Sequence, residues 1–141
     1  MGWRSRFLRA LSKRIVVRGS ACRAAIWTSR RSTPASSMVA PDGKSWVAEG
    51  PDLFKALRAL RRILDPLGVR LGVNGARRDA WASGMQCDMG EGRAVYLLAE
   101  GQVRRPEQVS TLGPTPLSHV GTVDDQDQQH EQWLRSRRTI N

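Results

Sequence analysis

The sequence predicts an α+β domain: a three- to four-stranded sheet, mixed or antiparallel, with a long amphipathic helix and a C-terminal helix packed on it. Three observations carry this. Leucines at 53, 57, 60, 64 and 67 recur at helical spacing. Two apolar runs of strand length, Val69–Val73 and Ala94–Leu98, flank a segment of Gly, Arg, Asp, Ser, Cys and Met. A last stretch, Val123–Arg138, crowds acids at its start and arginines at its end, as a helix dipole favours. The helix-to-strand connection is short, and no helical pattern separates the two apolar runs. A parallel crossover is therefore disfavoured.

The net charge of +10 resolves into two unequal parts. Residues 1–41 hold eight arginines and Lys13 and no acid, whereas the remainder is close to neutral. We expect 1–41 to be a basic extension without regular structure, followed by one domain over 42–138. Within the extension, Leu8, Leu11 and Ile15 fall at helical spacing among arginines. Three readings compete: a transit-type leader, an arm for nucleic acid or an anionic membrane, and a non-functional extension from a start codon placed upstream. Unbalanced charge with little apolar content favours the third. No apolar run comes near the ~20 residues that cross a bilayer. The two cysteines, Cys22 and Cys87, suit a reducing compartment, with no disulfide between them.

Ser45–Glu49 reads as a short strand with Trp46 and Ala48 on one side. The helix follows over Asp52–Leu67. Ala56 and Ile63 widen its leucine stripe, and Lys55, Arg58 and Arg62 share the opposite, solvated face. Pro51 and Asp52 suit its start, and Pro66 and Gly68 its end. Val69, Leu71 and Val73 alternate with Arg70 and Gly72 as a half-buried strand. Ala94–Leu98 is apolar on both faces, which places it centrally in the sheet. Arg104–Val120 has three prolines and no period, and reads as a wrapped loop anchored by Leu112, Leu117 and Val120. Thr122 and Asp125 then form a capping box, and His130, Trp133 and Leu134 dock the last helix.

Asn74–Arg93 is longer than an ordinary connection, and such loops are commonly functional. Its Trp81, Met85 and Met89 predict that it folds back on the domain. Asn74, Asp79, Trp81, Ser83, Met85 and Arg93 are the residues of a candidate interaction loop. Arg77 and Arg78, after the turn at Gly75, are a candidate anion site, since guanidinium groups and free backbone amides hold phosphate or carboxylate. The commoner outcome is that one arginine pairs with Asp79 or Asp88. Asp79, Asp88 and Glu91 have no spacing that fixes an acid–base pair, and Cys87 with His119 or His130 matches no nucleophile signature. Ligands for a metal would have to come from three separate elements. No catalytic residue, metal or cofactor is assigned.

The block VNGARRDAWASGMQCDMGEGRAVYLL, with GTVDDQDQQHEQWL downstream, resembles small uncharacterised bacterial proteins sharing an NGARRD–SGM–MG–GR–Y pattern. The resemblance covers roughly residues 46–135, leaves the extension outside, and implies no activity. The sequence thus leads to a non-enzymatic interaction module of the bacterial cytoplasm, immunity- or regulator-like, with a protein partner. The alternatives are a domain binding an anionic ligand through Arg77 and Arg78, and nucleic-acid binding through 1–41.

Overall fold

Asp52 starts the central helix. Its carboxylate accepts from the Lys55 amide at 2.9 Å, and helix α1 runs Leu53–Leu64 from that cap. A 3-10 turn at Asp65–Leu67 follows, closed by Gly68 at φ +70°. The computed structural model describes residues 7–17, 20–29, 32–39, 45–99, 101–102 and 104–140, with side chains described between residues 46 and 138. Before α1 lie β1 (Phe7–Val17), β2 (Ser20–Ser29), β3 (Ser32–Val39) and β4 (Ser45–Glu49). They form an antiparallel sheet in chain order. The first three occupy the segment expected to lack regular structure; β4 coincides with the predicted strand.

After α1 come a 3-10 turn at Asn74–Ala76, β5 (Ala80–Trp81), α2 (Gly84–Asp88), β6 (Ala94–Leu97) and β7 (Glu107–Ser110). A 3-10 turn at Leu117–His119 and α3 (Val123–Ile140) complete the chain. β6 is the middle strand of a three-stranded antiparallel sheet, pairing Trp81 with Tyr96 and Val95 with Val109. The fold is α+β, as the sequence predicts, although the strands divide between two sheets.

Helix α1 feeds three apolar clusters, the smallest being Leu53 with Leu112. Leu57, Leu60 and Leu64 pack with Leu71, Val73, Ala76 and Val120, and Trp46 and Ala48 of β4 close that cluster. Phe54 joins Ala80, Ala82 and Val95 in the second. Each fully buried leucine contributes about 2 kcal/mol by area. The predicted stripe is rotated slightly. Ile63 and Leu67 are exposed, and Phe54 widens the stripe from the other side.

Val69–Val73 is not a strand, despite its alternation. Leu71 and Val73 are buried, but the pairing is a single bridge from Val73 to Pro114. The facing segment holds Pro114 and Pro116, which have no N–H to give, so a ladder cannot extend. Asn74–Arg93 is not one long loop either, since it contains β5 and α2. Likewise the expected wrapped loop contains β7, which pairs along the free edge of β6. Leu112 and Val120 are buried there as predicted, with Leu117 half-buried.

Candidate interaction surface

The surface rests on a polar knot beneath it. Arg61 is only 3 % exposed. Its guanidinium donates to the carbonyls of Gly75 (3.3 Å), Ala76 (3.2 Å) and Gly121 (2.9 Å), and to Gln126 Oε1 (2.9 Å). Gln126 is fully buried; its Nε2 donates to the carbonyls of Gly75 and Arg77 at 3.0 and 2.8 Å. Burial pulls Arg61 down to about 10, against partial support from the charge of Asp65. Four neutral acceptors hold this cation and thereby tie α1, the start of the 74–93 segment and α3 together. The sequence reading passed over both residues. A signal existed: Arg61 lies four residues after Leu57 and one after Leu60, on the buried stripe, and Gln126 lies three after Val123.

Above the knot the predicted residues diverge. Asn74 donates to the Ser110 carbonyl at 3.0 Å. Arg77 forks onto Asp79 with bonds of 2.8 and 2.9 Å, and this pairing raises its pKa. Arg78 is exposed and donates to the Ser118 carbonyl at 3.0 Å. The backbone amides of Asn74, Gly75, Arg77 and Arg78 donate to carbonyls of Gly113, Thr111, Asn74 and His119. Gly75 is buried, and a side chain there would collide with Leu57 and Thr111. Arg93 pairs with Glu91 at 2.8 Å. The pairing of Arg77 with Asp79 is the structural alternative anticipated for these arginines.

Trp81 stands at the junction of three elements. His130 of α3 stacks on it with ring centroids 3.7 Å apart and planes 7° from parallel. Phe54 meets it edge-on, and the Arg58 guanidinium lies over it at 4.9 Å. Arg58 is not solvated, as α1's outer face was predicted to be. It donates to Gln126 at 2.6 Å and pairs with Asp127. Desolvation and the charge of Arg58 lower the His130 pKa, partly opposed by Asp127. Trp133 is half-buried beside His130, whereas Leu134 is exposed.

Helix α2 is the outermost part. Ser83 and Gln86 form a capping box, with bonds of 3.1 and 2.9 Å. One helical turn apart, Met85 and Met89 are 72 % and 81 % exposed. The expectation that they fold back on the domain is not met. Trp81 and Cys87 supply the inward contacts of this segment, and a five-residue helix has no room to turn both methionines inward as well. Cys87 is a free thiol on the core side, and burial with the neighbouring Asp52 carboxylate pushes it up to about 11. It meets neither histidine among the described contacts, since His130 is stacked on Trp81 and His119 is exposed. Among the described residues, no group of three or more His, Cys, Asp or Glu is placed to hold a metal ion. No helix among them is long and apolar enough to cross a membrane. No protein-family model matches the chain, and no curated protein matches it.

Proposed function

We propose that this chain is a non-enzymatic interaction module of the bacterial cytoplasm, immunity- or regulator-like, and that it docks a protein partner through the 74–93 segment. One observation carries the reading. Met85 and Met89 present two thioether side chains to solvent from one face of a capped helix. Large flexible apolar side chains held in water are a cost unless a partner covers them, and methionine is enriched in interface cores. The knot of Arg61 and Gln126 supports the same reading, because it fixes the base of the segment and keeps the docking face preorganised. The anion-ligand alternative fares less well. Arg77 is engaged by Asp79, and the amides around it already have carbonyl acceptors.

The test compares affinity capture from the source cell by the native chain and by Met85→Gln/Met89→Gln. Glutamine preserves length and helix propensity and removes the apolar face. We expect the variant to keep its thermal midpoint within ~2 °C and to lose the captured partner. An unchanged capture profile from a folded variant overturns the reading.

A further inference from the structure

The stretch Met85-Gln86-Cys87-Asp88-Met89 places three sulfur atoms within five residues. Chemistry alone would single out the cysteine as the oxidant-reactive one. We propose the opposite assignment: Met85 and Met89 are a peroxide-modified site, and the thiol between them is spared. The geometry of α2 makes the division. Residues four apart share a helix face, whereas residue 87 lies about 200° around from each methionine. Both thioethers are thus open to water, whereas Cys87 is half-buried and packs against the cluster of Phe54, Ala80, Ala82 and Val95. Its thiol also neighbours the buried Asp52 carboxylate, a charge that disfavours ionisation. Peroxide reacts with thiolate, not thiol. The rise from the ordinary 9.0 to about 11 cuts the thiolate share roughly a hundredfold at neutral pH.

The reaction balances with hydrogen peroxide as the one co-reactant. A thioether lone pair attacks one peroxide oxygen and the O–O bond breaks. The proton on the transferred oxygen passes to the departing hydroxide. One peroxide gives one sulfoxide and one water, and sulfur loses two electrons. The product is polar where the methionine was apolar, and thiol-dependent reductases reverse it. Resting on the docking reading above, sulfoxide formation at these two positions would release the partner, and reduction would restore binding.

The experiment treats the full native chain at pH 7 with hydrogen peroxide. Samples are quenched over time, free thiol is alkylated, and the tryptic peptide 79–93, which holds all three sulfurs, is mapped by mass spectrometry. The same course is run in guanidinium chloride. We expect Met85 and Met89 to oxidise within about twofold of their unfolded rates and Cys87 to react at least tenfold slower than when unfolded. Native Cys87 reacting at its unfolded rate, or thioethers protected more than tenfold by folding, overturns the assignment. Capture by the bis-sulfoxide chain separates the two readings. A map as expected with capture unchanged leaves the oxidation site standing and removes its coupling to docking.

Discussion

Arg61 sits in the interior with no carboxylate within ion-pair distance among the described residues. It is held by three backbone carbonyls and the amide oxygen of Gln126. Such a site tolerates no missing acceptor, because an unpaired buried charge costs several kcal/mol. Gln126→Ala removes one acceptor from both Arg58 and Arg61, and one donor from the carbonyls of Gly75 and Arg77. We expect a loss of about 3 kcal/mol in urea denaturation. Arg78→Ala, which gives up one exposed bond to Ser118, should stay within ~0.5 kcal/mol.

At the scale of elements, α3 depends on few contacts beyond its first turns. Thr122 and Asp125 cap it reciprocally with bonds of 2.9 and 3.0 Å, as their spacing predicts. Val123 and Gln126 are buried, and thereafter the helix is held chiefly by the pairing of Asp127 with Arg58 and the stack of His130 on Trp81. The His130 pKa is lowered on folding, so the unfolded chain takes up the proton first. Stability is then full above the unfolded value near 6.5 and falls as pH drops from there through the folded value. We expect the thermal midpoint to decline between pH 7.5 and 5.5, and His130→Phe, which keeps a ring on Trp81, to flatten that decline. An equal slope in both proteins would assign the pH response elsewhere.

Across the whole molecule, the parts legible in the sequence are those set by local pattern. The leucine stripe of α1 from Leu53 to Leu64, the alternation of β4, the two-faced apolar run of β6 and the Thr122–Asp125 box all appear where the residues place them. The parts that were not legible are set by partners distant in sequence. Val69–Val73 alternates correctly but faces prolines at 114 and 116. The sequence of β7 (EQVS) has no apolar alternation and becomes a strand because β6 offers a free edge. Of the candidate surface, Ser83 with Gln86 was a readable capping signal, whereas the exposure of Met85 depends on which neighbours pack against α2. Among the residues whose side chains are described, the members of all three apolar clusters lie within residues 46–120. We therefore expect residues 42–141, produced alone, to keep the helical far-UV signal and a single cooperative urea transition. Loss of that transition would make strands β1–β3 integral to the fold.

The Arg61 knot also bears on how the chain is made. Its acceptors at Gly121 and Gln126 lie 60 and 65 residues downstream. A polypeptide leaving the ribosome at about 5–20 residues per second exposes α1 seconds before those groups emerge. Until then the guanidinium has no complete set of acceptors and opposes burial of the leucine stripe beside it. Completion of this knot is thereby deferred until residue 126 has emerged, and the nascent stripe is open to chaperones in the interval.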